Sequence, residues 1–433
     1  MILKKIKHFL QKQPKKTQQT VRATVIPRAK HSISRQNIDP HALKVLYRLS
    51  NAGYDAYLVG GCIRDLLLDK HPKDFDVATN ATPEQVRSLF RNCRLIGRRF
   101  RLAHVFFREH IIEVATFRGH HDESSNTSHS ETGMILRDNQ YGSIEEDAVR
   151  RDFTINALYY DIRDFSVVDF TDAMEDIQKK QIVMIGDPAT RFREDPVRML
   201  RAIRFAAKLD FSIEPNTLAS LGELHELLAP INNSRLFEEF IKLFHSGYAE
   251  KTFELLRQHH MLTYISQPAV EALGENEQAE AFFRTALNNT DARVASGKHT
   301  TPTFLMTVFL WPHILKTLAR HEQQDMPRYD ALQLAISDAL TAQRRHTMLP
   351  RKLVNGIRDI AYLQYHLDRR RGRAPYRTLS HPRFRAGYDF LLLRAQIDSD
   401  LQPLADWWTS FQTASRDARQ QLIDKLPPTP KRQ

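Results

Sequence analysis

Two adjacent glycines, an arginine and two alternate aspartates in one short stretch carry the most readable chemistry in this chain. The stretch is YLVGGCIRDLLLDKHPKDFDVAT, residues Tyr57 to Thr79. Gly60 and Gly61 close an apolar, strand-like run, and backbone N–H groups at such a turn can cradle phosphate. Asp74 and Asp76 sit on the next apolar run. Side chains alternate along a strand, so this spacing aims both carboxylates at one spot. There they can hold Mg²⁺ against a triphosphate. Two like charges side by side are costly unless a cation joins them; an ion-paired strand end with Lys73 is the structural alternative. Arg64 and Asp65, just inside the helix that follows the glycines, would orient the turn and meet phosphate.

Four further groupings stand out. Glu113 lies in IIEVATF, among apolar or small neighbours. A lone buried carboxylate is expensive, so Glu113 is read either as a third acid at the metal site or as the partner of Arg118. In RRDFTINALYYD, Asp152 and Asn156 are spaced to share one helical face, and Arg151 offers a phosphate or ribose contact; a plain helix start capped by Asp152 explains the same residues. In REDPVRMLRAIRF, Asp195 reads as an N-cap with Pro196 as the first helical residue. Arg198, Arg201 and Arg204 then recur every third residue, opposite Met199, Ile203 and Ala206. A guanidinium beside a carboxylate can read the edge of a base. Finally, DRRRGRAPYRTLSHPRFRAGYDF interleaves Arg369, Arg370, Arg371, Arg373, Arg377, Arg383 and Arg385 with Tyr376, Phe384 and Tyr388. That mixture suits single-stranded RNA through backbone charge and base stacking; use of the aromatics as core between helices is the competing reading. Trp407 and Trp408 read as helix packing.

The elements that must position these groups follow from periodicity and punctuation. A helix is expected over 41–52, strands over 56–59 and 75–78, and a helix over 62–68. Thr82-Pro83-Glu84-Gln85 is a capping box opening a helix to about Phe90. Strand-like runs follow at 94–96, 102–107 and 111–117. After Gln181 the chain reads as helical nearly to its end. Residues 1–37 form a basic tail expected to be disordered, with RNA contact or weak membrane attachment as its other uses. Residues 38–180 then read as a helix–strand mix and 181–250 as helical, including the Arg198 helix. Residues 251–425 read as helical with a basic, aromatic stretch suited to RNA, and 426–433 as a tail. The chain has 433 residues, a net charge of +12 and 42% hydrophobic residues, which favours a polyanion partner and a sizeable core. Its only cysteines, Cys62 and Cys93, make neither a zinc motif nor a disulfide framework. The apolar stretch from Phe304 to Trp311 is too short to span a bilayer and reads as core helix.

Taken together, GGCIRD, DFDVAT, RRDFTIN and EDPVRMLRAIRF occur in an order that resembles the class II nucleotidyltransferases of the DNA polymerase β-like superfamily. That family contains bacterial poly(A) polymerases and tRNA CCA-adding enzymes. The resemblance implies an α+β head, with a small mixed sheet and helices, followed by an all-α neck, body and leg. It implies two Mg²⁺ ions (or Mn²⁺ in their place) held by Asp74 and Asp76, with Asp152 serving catalysis or ribose contact. It further implies Asp195 and Arg198 at the incoming base, Arg118 near the triphosphate, and ATP as substrate. CRLIGRRFRLAHVFF, with paired basic residues before Phe100 and Leu-Ala-His after it, is similar to the poly(A) polymerase branch rather than the CCA-adding one. The residue at Cys62 departs from the small residue common there but leaves the glycine turn intact. RNA 3′ ends are the implied acceptor, RNA-degradation proteins candidate partners, and a cytoplasmic monomer the expected state, with the basic N-terminus a candidate for peripheral contact at the inner membrane.

Overall fold

The computed structural model describes residues 23–97, 101–119, 141–275 and 277–427. The basic segment MILKKIKHFLQK, the paired basic residues before Phe100, the polar loop after Gly119 and the last six residues lie outside them. The chain divides into two units at Asp187/Pro188, close to the boundary expected after residue 180.

The first unit is built on one mixed sheet. Its strands are β1 (Thr24–Ile26), β2 (Ala56–Val59), β3 (Asp76–Thr79), β4 (Cys93–Ile96), β5 (Leu102–Phe107), β6 (His110–Thr116), β7 (Leu158–Asp161) and β8 (Val167–Asp169). Their order in space is β1-β8-β7-β2-β3-β6-β5-β4. Every neighbouring pair is antiparallel except β3 and β6, which run parallel. A parallel pair needs a crossover. Here the crossover contains the helix Pro83–Leu89, whose capping box makes both of its expected bonds, Gln85 N to Thr82 Oγ1 at 3.3 Å and Thr82 N to Gln85 Oε1 at 2.8 Å. The helix Pro40–Asn51 is capped by Asp39 and buries Ala42, Val45, Leu46 and Leu49. Tyr57, Val59, Ala78, Phe117, Ala148, Tyr159 and Phe170 form one of this unit's cores.

Two expectations change here. RRDFTINALYYD does not form an α-helix. A short helix, Ile144–Val149, ends before it, Thr154–Asn156 makes one 3₁₀ turn, and Leu158–Asp161 becomes β7. All four β7 residues are buried, so the strand has no polar face and shows no alternation. The expected disorder of residues 1–37 also fails for the part described. Thr24–Ile26 pairs with β8, Asn37 lies in a 3₁₀ turn and Ile33 is buried.

The second unit is helical, as expected. Phe240, Phe244, Phe253, Phe283 and Phe309 pack together at its centre. Leu305 to Trp311 is buried inside the helix Pro302–Glu322, which bears out the core reading of that stretch. Among the described residues no helix is long and apolar enough to cross a membrane.

Candidate active site

The glycine turn is held from beneath. Gly60 has φ +79°, a conformation glycine adopts at no steric cost, and it caps the helix Gly61–Leu67. Arg64, expected to face phosphate, is instead buried at 3% exposure. Its Nε donates to Asp65 Oδ1 at 2.8 Å and its Nη1 to Asn156 Oδ1 at 2.6 Å. Asn156 Nδ2 in turn donates to Asp152 Oδ1 at 3.1 Å. Asp65, Arg64, Asn156 and Asp152 thus form one hydrogen-bonded chain tying the turn to the 3₁₀ segment. Arg64 and Asp65 thus brace the glycine turn, as half of their reading had it, while their buried side chains and that of Asn156 are engaged with one another. Asp152 meets Asn156 as its spacing implied, but through a tight turn rather than a shared helical face.

The acids lie one strand over. Asp76 opens β3, while Asp74 is exposed on the segment leading into it. The parallel register sets Asp76 directly beside Glu113 of β6. Burial, then Glu113, then Asp74 push the Asp76 carboxyl up to about 6, against a smaller pull from Arg151. Asp76 is open to solvent on its free side, yet crowded by protein and by two like charges. Glu113 is not the buried acid its apolar neighbours suggested. Strand alternation turns Ile112 and Val114 into the core and leaves the Glu113 side chain 43% exposed. It pairs with His104 of β5 at 3.4 Å, a partner the sequence did not offer.

These residues wall a cavity of about 320 Å³, lined by Val59, Asp76, Val77, Leu102, Glu113, Ala115, Arg118, Asp147, Arg150 and Arg151. Arg118 and Arg151 arrive there as expected; Arg150 and Asp147 were missed. Asp147 is the hidden anchor. Its Oδ2 accepts from Arg151 Nη2 at 2.8 Å and from the Tyr159 hydroxyl at 2.7 Å, and its Oδ1 from the Arg118 backbone N–H at 3.2 Å. Burial alone would raise the Asp147 pKa, but Arg151, then its hydrogen bonds, hold it below the usual carboxylate range. Burial likewise opposes the Arg151 charge, while Tyr159 and Asp147 more than restore it. Beside the acids, Cys62 donates to the Val59 carbonyl, and burial followed by the Asp76 charge pushes its thiol up to about 12, leaving it inert.

The residues present fit a divalent cation in kind. Asp76 is a carboxylate raised by two acidic neighbours, which a cation would relieve. Among the described residues, no three His, Cys, Asp or Glu side chains are already gathered as a ligand set. Of the four acids expected at the site, Asp76 and Glu113 line the cavity, and Asp74 and Asp152 do not.

In the second unit, the helix Val197–Leu209 starts one residue later than expected. Pro196, expected as the first helical residue, is its N-cap, so Asp195 lies one residue before the cap, with its carboxylate accepting from Val197 N at 3.2 Å. Met199, Ile203 and Ala206 are buried, as its periodicity implied. Asp195 and Arg198 are held in separate ion pairs rather than in one. Arg198 donates to Glu194 at 2.9 Å and to the Arg191 carbonyl at 2.8 Å, and Asp195 accepts from Arg235 at 2.7 Å. Arg201 and Arg204 lie over the Phe205 ring at 5.4 and 5.1 Å.

The C-terminal aromatics resolve toward packing. Phe384, Tyr388, Trp407, Trp408 and Phe411 form a buried cluster, with Tyr376 packed against it at 5.5 Å from Phe411. Trp408 Nε1 donates to the Leu367 carbonyl at 2.8 Å. Tyr376 is thus no open stacking surface. Arg369, Arg371, Arg373, Arg377 and Arg385 are exposed, whereas Arg370 lies half-buried over Trp407 and Arg383 pairs with Asp359.

Comparison with known proteins gives this geometry a family. A family model described as the poly(A) polymerase head domain matches residues 56–183. Models described as a probable RNA and SrmB-binding site of polymerase A and as the polymerase A arginine-rich C-terminus match residues 210–273 and 324–433. Poly(A) polymerase I of Salmonella typhimurium strain LT2 is 48% identical over 420 residues, covering 94% of this chain and 90% of its own. That of Haemophilus influenzae is 46% identical over 432 residues, covering 96% and 95%. The CCA-adding enzyme of Lactobacillus helveticus is 35% identical over 241 residues, or 56% of this chain and 58% of its own. Among solved structures, the Bacillus stearothermophilus CCA-adding enzyme in complex with CTP matches with a TM-score of 0.58 at 26% identity, covering 86% of this chain and 82% of that one. The CCA-adding relatives share the fold and match over about half of this chain in sequence, while the poly(A) polymerases match along nearly the full length of both chains. The chain belongs to the bacterial poly(A) polymerase family of nucleotidyltransferases.

Proposed function

We propose that this chain is a polynucleotide adenylyltransferase that moves AMP from ATP to the 3′-OH of RNA without a template, releasing pyrophosphate. The observation that carries the reading is the parallel pairing of Asp76 with Glu113 on the wall of a cavity that also presents Arg118, Arg150 and Arg151. Acids and guanidinium groups lining one cavity suit a nucleoside triphosphate with its counter-ions. Asp74 and Asp76, with Glu113 beside them, would hold Mg²⁺. Bound there, such ions supply Lewis acidity that eases deprotonation of the RNA hydroxyl and offsets charge at the α-phosphate.

The rest falls to the chain itself. The Gly60-Gly61 turn, propped by Arg64 and Asn156, presents backbone amides to phosphate. Arg118, Arg150 and Arg151 offset triphosphate charge, and the Asp147 bonds keep Arg151 from swinging away. Arg198 and Asp195, each braced by a neighbour, recognise adenine, so protein side chains stand in for a template. The exposed arginines of 369–385 take the RNA backbone. This activity belongs to mRNA processing in the cytoplasm.

One assay tests the reading. ATP or CTP is offered separately, with a generic RNA or with tRNA lacking its terminal CCA. Repeated AMP addition to generic RNA is expected. Two C additions followed by one A, stopping there, would replace this proposal with CCA addition. No Mg²⁺-dependent incorporation from either nucleotide would leave only an RNA-binding role.

A further inference from the structure

The tyrosines best placed for RNA are not those interleaved with arginine. Tyr329 opens the helix Arg328–Arg344, and Tyr362 and Tyr365 lie on the helix Arg351–Leu367. Their rings converge. Tyr329 stacks on Tyr362 at 6.0 Å between centroids, 29° between planes, and meets Tyr365 at 5.4 Å and His366 at 6.4 Å. Tyr329 is 37% exposed, and Tyr362, Tyr365 and His366 are partly exposed; Tyr376 is partly exposed as well but packs against the buried C-terminal cluster, to which these rings do not belong.

Helical spacing explains the arrangement. Leu353, Val354, Ile357, Ile360 and Ala361 bury one side of the helix. Arg358, Tyr362, Tyr365 and His366 recur at three- to four-residue steps along another, and exposed Arg369 continues that line with its guanidinium 5.8 Å from the Tyr365 ring. Exposed Arg358 and Arg369 are in no ion pair among the described residues, and burial followed by the Arg369 and His381 charges lowers the His366 pKa, favouring a neutral ring that can stack. Among the nearby acids, Glu322 pairs with Arg328 and Asp359 with Arg383, burial raises the Asp368 pKa against the pull of Arg394, Arg328 and Arg370, and Asp330, next to Tyr329 in sequence, is exposed.

We infer that Tyr329, Tyr362 and Tyr365, flanked by Arg358 and Arg369, form a base-stacking platform for the single-stranded RNA that the enzyme extends. Open rings between unpaired guanidinium groups match the bases and backbone of a single strand, and purines offer large faces to stack. The inference rests on the proposed RNA substrate.

The test is binding of an oligoadenylate of about 16 nucleotides, long enough to engage a single-strand groove, measured against salt. Tyr329→Ala with Tyr365→Ala should weaken binding about 10- to 100-fold, leaving the salt slope and the KM for ATP unchanged. Arg369→Ala should reduce the slope by roughly one phosphate contact, about 0.7. Tyr329→Phe with Tyr365→Phe keeps the rings and should bind as the unmodified protein does, which separates stacking from any loss of fold. Photocrosslinking of the same oligomer to the unaltered protein, mapped by mass spectrometry, should mark Tyr329 or Tyr365. Unchanged affinity in the alanine pair, or crosslinks confined elsewhere, would overturn the platform. An unmodified protein that adds no AMP to RNA would instead overturn the proposed function, so the two failures are told apart.

Discussion

The acidic cleft of the head and the aromatic, arginine-rich end of the chain both advertise chemistry in the sequence, yet folding treats them in opposite ways. In the head, Asp76 and Glu113 are far apart in sequence, and parallel strand pairing brings them together at the mouth of a cavity. At the other end, Tyr376, Phe384, Tyr388, Trp407 and Trp408 are close in sequence, and the fold gathers them into or against a core. Polar groups stay open where a strand's start or its outward face leaves them beside a cavity. Large rings tend to be taken by packing, because burying each one yields a few kcal/mol. Rings placed on the outer face of a helix, as at Tyr329 and Tyr365, remain accessible to a ligand.

The sharpest way to break this contrast is Asp76→Ala. AMP incorporation should fall at least about 1,000-fold, since a carboxylate central to the proposed metal site is gone. The melting temperature should hold or rise, because one of three mutually repelling acids has been removed. Tailing at near-normal rates would mean the cleft does no chemistry.

Trp408→Ala probes the opposite region and should do the reverse. The side chain is fully buried and bonded to the Leu367 carbonyl. Its loss should cost about 3–5 kcal/mol in urea unfolding. RNA affinity, measured where the variant is still folded, should be unchanged. A selective loss of RNA binding at full stability would make this cluster a binding surface after all.

These outcomes bear on what could be read from residues alone. Ala56–Val59, Leu102–Phe107 and the Thr82 capping box were legible because their signals are local. Leu158–Asp161 was not. A strand buried on both faces shows no alternation, and the four-residue spacing of Asp152 and Asn156 imitated a helix. Thr24–Ile26 was hidden by basic composition, which says nothing about an edge strand. Of the cavity's lining, Asp76 and Arg151 were singled out by type and context, and Arg118 by the resemblance. Asp147 could not: in IEEDAV it looks like one more surface acid, and only β7 brings Tyr159 to it. His104 became the partner of Glu113 through the β5–β6 register, which the sequence does not encode locally.

Arg151→Met sharpens the comparison within the head by separating support from chemistry. It strips Asp147 of its main counter-charge and should cost about 3 kcal/mol, the usual consequence of leaving a buried carboxylate unpaired. Adding Asp147→Asn should recover part of that loss, giving a clear coupling energy in a double-mutant cycle. Additive losses would show that the pair is not a unit. Activity should stay low in both variants, because Arg151 also lines the cavity.

The smallest expected effect concerns pH, and it sets the two head acids against each other. Asp76 has a folded pKa of about 6 against an ordinary 3.8, so the folded state binds the extra proton between those values. Its contribution to stability is therefore fully present below about pH 4 and is lost as pH rises through about 6. Asp147 behaves oppositely: its lowered pKa gives stability above the ordinary carboxylate range that is lost on acidification. In metal-free buffer with chelator, subtracting the unfolding free energy of Asp76→Asn from that of the unmodified protein should leave a difference that declines between pH 4 and 6. Solvent screening on the open side of the carboxylate keeps the change below about 1 kcal/mol. A flat difference would mean that the neighbouring acids do not crowd Asp76. Glu113 would then have no electrostatic hold on the site, and the parallel register would be only a matter of packing.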